Sequence, residues 1–164
     1  MITIRALRND DNLSDLIELS REFFGEYEAY HEDFFEIETL RDSDIGNFFS
    51  RALASKDAAT FIALEGGRMI GYVTVSVRTR ESFWRIGKEG SVSGLMVHKR
   101  HRRRGIGTRL WRKAMAFFER KGARYFTVYT SVNNAGAIKF YERAGMRPLY
   151  CHMIGRICQD SRGD

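Results

Sequence analysis

A strand pattern, a glycine turn and a helix pattern follow one another without a break over residues 91–121. The strand ends in the apolar run Leu95, Met96 and Val97, and the turn contains Gly105 and Gly107. This order predicts an anion site, because the unpaired N–H groups at the positive end of a helix favour phosphate and glycine lets the backbone approach it. A run of arginines in the same turn adds charge-assisted hydrogen bonds.

The hydrophobic period changes several times along the rest of the chain. Strand spacing is predicted over residues 1–7, 59–64, 69–77, 91–97, 125–130 and 148–157, and helical spacing over about 13–25, 42–54, 110–121 and 135–143. The resulting order, β, α, α, β, β, β, α, β, α, β, predicts an α/β layered sheet flanked by about four helices. With one proline and no composition break, we expect a single domain over residues 1–164.

Two local details of this pattern can be checked directly. The stretch 65–68, Glu-Gly-Gly-Arg, predicts a hairpin turn between two strands. In the second helix, the spacing places Ile45, Phe48, Phe49 and Leu53 on the buried face.

The composition excludes several classes of protein. The sequence has no apolar stretch of about 18 residues, which a membrane helix needs, and its first residues lack the layout of a signal peptide. We therefore expect a soluble cytoplasmic protein with no membrane partner. Cys151 and Cys158 have no neighbouring histidine pattern, so we expect reduced thiols and no metal site.

Charge is divided unevenly along the chain. Residues 1–50 carry thirteen acidic residues against four arginines, whereas residues 51–164 carry twenty-three basic residues against eight acidic ones. The division predicts an acidic ligand on the C-terminal part and a cationic one on the N-terminal part. A solvated acidic helix face without a ligand is the alternative.

Two segments together resemble the signature of the GNAT-type N-acetyltransferase superfamily. The first is Arg102-x-x-Gly105-x-Gly107 opening a helix, and the second runs from Asn134 through Tyr141 to Gly145. In that family the first segment binds the pyrophosphate of acetyl-coenzyme A, and the second places a tyrosine near the thioester sulfur. The resemblance covers essentially the whole chain. It implies a mixed, mostly antiparallel central sheet, an acceptor-binding part at about residues 1–60 and an acetyl-CoA-binding core at about 90–146.

The resemblance also implies which residues contact acetyl-CoA: Leu95, Met96, Val97, Arg102, Arg103, Arg104, Gly105, Ile106, Gly107, Thr108, Asn134, Ala137 and Tyr141. Among the arginines, Arg102 and Arg104 are favoured over Arg103. Tyr141 is the candidate general acid, because a phenol of pKa about 10 can donate to a thiol leaving group of pKa about 8.5. A buried aromatic residue is the alternative for Tyr141, and helix capping is the alternative for Asn134.

The residue at the expected position of the general base differs from the family pattern. Many relatives carry a glutamate two residues before the position of Leu95, where this chain has Ser93. A serine does not deprotonate an ammonium group of pKa about 10.4 unaided. The alternatives are a water chain, Glu89, Glu81, an acid in residues 32–38, or an acceptor of low pKa that needs no base.

The candidate acceptor site combines aromatic rings with carboxylates at Tyr27, Glu28, His31 and Glu32. Such a set suits a cationic amine through charge pairing and cation–π contact. We therefore expect acetyl transfer to a small-molecule or peptide primary amine, by direct attack in a ternary complex. Core aromatics with a charged helix surface are the alternative.

Two other functions are alternatives to acetyl transfer, and the oligomeric state is open. Ser93 in place of a glutamate is compatible with a non-catalytic acyl-CoA sensor. The sequence pI of about 9.5 and the basic run 99–104 are compatible with a nucleic-acid binder. Nucleic-acid binding is the weaker hypothesis, because that run lacks interleaved aromatic residues and leads directly into the glycine turn.

A homodimer could use the edge of the final predicted strand, which contains Cys151 and Met153.

Overall fold

The computed structural model describes residues 1–31 and 33–157. The strands are β1 (Ile2–Ala6), β2 (Ala58–Glu65), β3 (Arg68–Thr79), β4 (Lys88–Val97) and β5 (Tyr125–Val128). The helices are α1 (Ser14–Glu28), α2 (Asp42–Ala54), α3 (Ile106–Arg120) and α4 (Ala135–Arg143), and a 3₁₀ turn spans Lys99–His101. Glu32 and Cys158 lie outside the described residues. The four helices and five strands of the described residues confirm the predicted α/β fold class.

The sheet has the strand order β1-β2-β3-β4-β5. Pairing is antiparallel from β1 to β4 and parallel between β4 and β5. The parallel pair requires a long crossover, which α3 provides. The predicted hairpin between β2 and β3 is confirmed, since Gly66 and Gly67 have φ of 58° and 84°, the positive values that a tight two-residue hairpin turn needs.

Hydrophobic side chains fill both faces of the sheet, because neighbouring residues of a strand point to opposite sides. One core cluster joins α1 and α2 to the sheet and includes Leu16, Phe49 and Tyr72. On the other face, α3 buries Leu110 and Phe117, and the Phe117 ring meets that of Phe61 with 6.4 Å between centroids. The two helical layers enclose β2, β3 and β4.

Two details of the predicted helices are wrong. The buried stripe of α2 is Ile45, Phe49 and Ala52, so Phe48 is 36% exposed rather than inward. Helix α1 continues through Gly25 to Glu28, past its predicted end. A glycine inside a helix costs only about 1 kcal/mol, and the packing of Tyr27 on Phe23, with 5.0 Å between centroids, offsets that cost.

The predicted final strand is also wrong. Residues 148–157 form no strand, and their apolar side chains, among them Leu149, Tyr150 and Met153, are exposed. Apolar alternation indicates a strand only where a neighbouring backbone completes the ladder. No described strand pairs with this segment.

The chain divides into two compact units. The first, Met1–Ser131, holds the sheet and helices α1 to α3. The second, Val132–Asp164, is described as far as residue 157 and holds α4. Among the described helices, none combines the length and the apolar composition that crossing a membrane requires.

Candidate active site

Strands β4 and β5 separate half-way along β4. They pair from Glu89 with Tyr125 to Val92 with Val128, and the described pairing ends there. On the β3 side, Val75 pairs with Val92 and Thr74 with Gly94, which leaves Ser93 as the extra residue of a β-bulge. A bulge bends its strand and turns it away from a neighbour. Residues 93–97 therefore present a strand edge that β5 does not cover.

The side chains of this strand end do not all face the same way. Met96 is buried in the core against α1 and α2, whereas Leu95 and Val97 are half-buried. Ser93 is exposed at the bulge. A ligand at this edge therefore meets the backbone of residues 95–97 rather than the Met96 side chain.

A buried phenol lies behind the bulge. A Cβ at Gly94 would stand 3.3 Å from Cε2 of Tyr72, so glycine permits this close packing. Burial raises the pKa of Tyr72 to about 12, and a hydrogen bond from Ser20 Oγ at 3.5 Å opposes part of the rise. Tyr72 is therefore a neutral hydroxyl at neutral pH and not a base.

The glycine turn presents a row of unpaired donors. Within the described hydrogen bonds, the N–H groups of Arg103, Arg104, Gly105, Ile106, Gly107 and Thr108 donate to no acceptor. The first helical bond runs from Arg109 N to the oxygen of Gly105, at 3.1 Å. Gly105 has φ of 73°, and a Cβ there would meet no atom within 4 Å. The unpaired donors thus lie together at the positive end of α3, where an anion is stabilised.

Arg102 turns away from this space and joins β4 to α1. Its Nε donates to the carbonyl oxygen of Val97 at 2.9 Å. Its Nη2 pairs with the Glu26 carboxylate and lies 3.6 Å from that of Glu22. The charge of Arg102 is therefore balanced inside the protein.

Arg104 is also paired, and Arg103 is not. Both terminal nitrogens of Arg104 donate to the Glu65 carboxylate, at 3.2 and 2.7 Å, and His101 Nε2 lies 3.2 Å from the same group. The hydrogen bonds from Arg104 lower the pKa of Glu65. In the described part of the chain, the exposed Arg103 guanidinium has no partner. The sequence analysis favours Arg102 and Arg104 as phosphate ligands, whereas these contacts favour Arg103.

Glu22 and Glu26 are site residues that the sequence reasoning missed. Glu22 also accepts a hydrogen bond from the Lys99 N–H at 3.1 Å, just before the arginine run. The two carboxylates lie four residues apart and hence on one face of α1. That spacing could have marked the two glutamates as a pair. Their partners could not be inferred from it, because they lie more than seventy residues away in the sequence.

The candidate acceptor residues fall in one folded segment after α1. Rings of Tyr30 and Phe35 both lie 5.4 Å from that of Tyr27, and burial raises the pKa of Tyr27. Glu28 accepts a hydrogen bond from the Ile37 N–H at 3.1 Å, which folds the segment back onto the helix. His31 Nδ1 accepts from the Phe34 N–H at 3.3 Å. The structure thus brings Tyr27, Glu28 and His31 together, and the fourth candidate, Glu32, lies outside the described residues.

Helix α4 of the second unit carries the remaining candidates. Asn134 Oδ1 accepts a hydrogen bond from the Ala137 N–H at 3.1 Å, which caps the first turn. Tyr141 is half-buried, and its ring meets that of Phe140 at 5.5 Å. Gly145, with φ of 85°, lies just beyond the end of the helix. Capping by Asn134 is therefore confirmed as one of its roles.

The sequence matches the Acetyltransferase (GNAT) family over residues 15–146. The chain belongs to this family. The match begins in α1, ends just beyond α4 and therefore includes both units of the fold.

Curated relatives carry acetyltransferase names. An uncharacterized N-acetyltransferase of Methanocaldococcus jannaschii is 27% identical over 144 residues, which is 87% of this chain and 59% of that protein. An N-alpha-acetyltransferase of Sulfurisphaera tokodaii is 30% identical over 107 residues, or 62% of this chain and 64% of the relative. N-alpha-acetyltransferase 30 of Schizosaccharomyces pombe is 30% identical over 86 residues, or 52% and 55%. The matches thus span less than two thirds of each relative.

Solved structures show the same fold. An aminoglycoside N-acetyltransferase in complex with CoA has a TM-score of 0.77 at 19% identity, with 96% of this chain and 95% of that chain covered. A mutant Bacillus halodurans protein has a TM-score of 0.82 at 17% identity, covering 95% and 99%. An aminoglycoside acetyltransferase from an uncultured soil sample has a TM-score of 0.70 at 25% identity, covering 96% and 99%.

Within this GNAT fold, two of the carboxylate candidates for the base, Glu89 and Glu81, can be located relative to Ser93. Glu89 accepts from Arg78 at 3.0 Å and from Thr127 Oγ1 at 3.1 Å, and it lies 3.5 Å from Arg80 Nε. The Glu89 carboxylate is therefore held between two arginines and the Thr127 hydroxyl. Glu81 lies on the exposed loop at the opposite end of β4 from the glycine turn.

Proposed function

We propose that this chain transfers an acetyl group from acetyl-CoA to a cationic primary amine. The observation that carries the proposal is the row of unpaired N–H groups at residues 103–108, which follows a strand edge left uncovered by β5. Pyrophosphate fits this place, because convergent backbone donors at a helix start form an anion site. A structural neighbour of the same fold was solved with CoA.

The donor half of the site uses backbone more than side chains. Residues 103–108 hold the pyrophosphate through N–H groups, and Arg103 adds the unpaired guanidinium. The backbone of residues 95–97 pairs with the extended pantetheine arm, as the family resemblance implies. Arg102 and Arg104 keep the loop in position through Glu26 and Glu65.

The reaction exchanges one bond for another. Bound acetyl-CoA supplies a thioester, so the amine nitrogen forms a bond to the carbonyl carbon while the carbon–sulfur bond breaks and the amine loses a proton. Holding both reactants in one complex is the main contribution of the protein. We assign Tyr141 as the donor to the sulfur on the strength of its motif, because the departing thiolate is stabilised by a hydrogen bond or a proton.

The proton of the acceptor amine leaves through water at Ser93. This side chain is exposed at the bulge, and Glu89 is held by arginines. Without a dedicated carboxylate, the rate rises with pH until the free amine predominates. The pH profile of the reaction then follows the pKa of the acceptor.

The acceptor is bound by the segment that follows α1. The aromatic rings around Tyr27 and the Glu28 carboxylate suit a cation. Two of the three relatives are named N-alpha-acetyltransferases, and two of the structural neighbours described above are aminoglycoside acetyltransferases. Peptide N-termini and aminoglycosides are therefore the two acceptor classes to test first.

Release of the CoA thiol from acetyl-CoA tests the proposal. The assay compares short peptides with a free N-terminus, the same peptides acetylated at the N-terminus, aminoglycosides and polyamines. Turnover with one free-amine class and none with the acetylated peptides is the expected result. Acetyl-CoA should also raise the Tm, since a ligand of the folded state stabilises it. No Tm shift at saturating acetyl-CoA would overturn the assignment.

A non-catalytic acyl-CoA sensor is the second candidate, and Ser93 in the place of a glutamate is the observation that favours it. A sensor predicts a Tm shift with acetyl-CoA but no thiol release with any amine. The same two measurements therefore separate the two functions.

A further inference from the structure

A surface of exposed aromatic and cationic side chains lies at the end of β4 that is remote from the glycine turn. It combines the β3–β4 loop with the turn between α3 and β5. Lys88 Nζ donates to the Lys121 carbonyl oxygen at 3.0 Å, and Glu89 pairs with Tyr125, so the two segments adjoin. We call it the aromatic-cationic surface, and it consists of Phe83, Trp84, Arg85, Lys88, Arg124 and Tyr125.

Three large rings of this surface are exposed. Phe83 is 76%, Trp84 50% and Tyr125 61% exposed. The Phe83 and Trp84 rings lie side by side, with 5.3 Å between centroids. Neighbouring exposed aromatic residues mark a binding surface more often than isolated ones do.

The loop that carries these rings is internally braced. The Arg80 guanidinium lies 4.5 Å from the centre of the Trp84 ring, and its Nη1 donates to the Ile86 carbonyl oxygen at 3.4 Å. The Arg80 N–H also donates to the Gly87 oxygen at 2.9 Å. Trp84 is thus held in place while half of its surface faces solvent.

The cations beside the rings carry uncompensated charge. Arg85 and Arg124 are exposed and have no carboxylate partner in the residues that the structure describes. Lys88 is exposed too, and its ammonium group is bonded to a carbonyl, which leaves its charge unneutralised. A polyanion is therefore the complementary partner.

We propose that the aromatic-cationic surface binds single-stranded nucleic acid. Bases stack on Phe83, Trp84 and Tyr125, while phosphates pair with the neighbouring cations. Single strands fit better than a duplex, because only unstacked bases can lie on aromatic side chains. The basic run at 99–104 lacks interleaved aromatic residues, whereas this surface alternates rings with cations.

A membrane surface fits these residues less well. Inserting Phe83 and Trp84 into a bilayer would desolvate the Arg80–Glu89 ion pair beside them. Glu81 lies in the same loop and would face anionic headgroups. An acidic protein segment would satisfy the cations but leave the rings unused.

Trp84 provides a direct readout of binding. The other tryptophan, Trp111, is 7% exposed, so quenching by a large solute reports on Trp84. Titration of the full chain with a uridine oligonucleotide of about twelve nucleotides should give saturable quenching. The affinity should fall steeply between about 50 mM and about 200 mM salt. Saturating acetyl-CoA should leave the affinity unchanged, so the result is independent of the proposed enzyme activity.

Variants measured by anisotropy of a labelled oligonucleotide complete the test. Phe83→Ala and Tyr125→Ala should each weaken binding about tenfold, and Arg85→Gln should reduce the salt dependence. Arg100→Gln, which removes the same charge from the run at 99–104, is the matched control and should have no effect. The proposal fails if no quenching occurs, if anionic vesicles or polyglutamate quench Trp84 at lower concentration than the oligonucleotide, or if Arg100→Gln weakens binding as much as Arg85→Gln.

Discussion

Two glycines at opposite ends of α3 share one backbone conformation but differ in their surroundings. Gly105 precedes the helix and Gly122 follows it, and both have φ of 73°. A Cβ at Gly105 would meet nothing within 4 Å, and one at Gly122 would meet only Lys88 Nζ, at 4.0 Å. Alanine at either position therefore destabilises the fold only because it must adopt the left-handed conformation, which costs roughly 1–2 kcal/mol.

Gly105→Ala and Gly122→Ala should lower the Tm equally, but only Gly105→Ala should weaken the binding of acetyl-CoA. For a chain of this size, that cost lowers the Tm by roughly 2–8 °C in both Gly105→Ala and Gly122→Ala. The methyl group at residue 105 also lies among the unpaired N–H groups of residues 103–108. Losing one charge-assisted hydrogen bond there, about 1.5–3 kcal/mol, raises the Kd for acetyl-CoA about tenfold to a hundredfold.

Thermal unfolding followed by circular dichroism gives the Tm of each variant. Calorimetric titration with acetyl-CoA, carried out well below the Tm, gives the Kd. Gly122→Ala should bind acetyl-CoA as the unsubstituted chain does. If Gly105→Ala keeps the unsubstituted Kd, or if both variants lose affinity equally, the pyrophosphate does not lie at the glycine turn and the reasoning is refuted.

Four further substitutions test other parts of the site and of the fold. Arg103→Gln should weaken acetyl-CoA binding with little change in Tm, whereas Arg102→Gln, which loses the Glu26 pair, should lower the free energy of unfolding by about 1 kcal/mol; calorimetry and thermal melts separate the two. Tyr141→Phe should lower kcat far more than it changes the Kd for acetyl-CoA, and equal kcat in the variant removes the acid role. The hydrogen bond from Arg5 lowers the pKa of Asp11, so this pair stabilises the fold fully above the unfolded pKa of about 3.9 and less as the pH falls through the folded value. Urea unfolding at decreasing pH should therefore show a weaker acid dependence in Asp11→Asn.

The elements that local sequence determines were predicted well. Helices α2 and α4 begin and end at the predicted residues, because each has an apolar stripe and a local end signal. The hairpin turn at Gly66 and Gly67 depends only on the positive φ that glycine permits. The final strand was wrong because a strand also needs a partner, which hydrophobic alternation does not reveal.

The pairing of the candidate site residues could not be predicted in the same way. The motif gives the turn and its donors, since these depend on neighbouring residues. Arg104 finds Glu65 thirty-nine residues away, and Arg102 finds Glu26 seventy-six residues away. Such pairs depend on how the sheet brings distant segments together, so the sequence alone did not show which arginine stays unpaired.

The uneven charge of the two halves is partly neutralised by ion pairs in the folded chain. Many acids of the N-terminal half pair with arginines inside the fold, as Asp11 does with Arg5, Asp15 with Arg68, and Glu22 and Glu26 with Arg102. These carboxylates brace the sheet and the glycine turn, and their charge is not available to an acceptor. Glu28, at the end of α1, instead accepts a hydrogen bond from the Ile37 N–H of the segment that folds back after the helix. We therefore assign the proposed attraction of a cationic amine to that segment rather than to the whole acidic half.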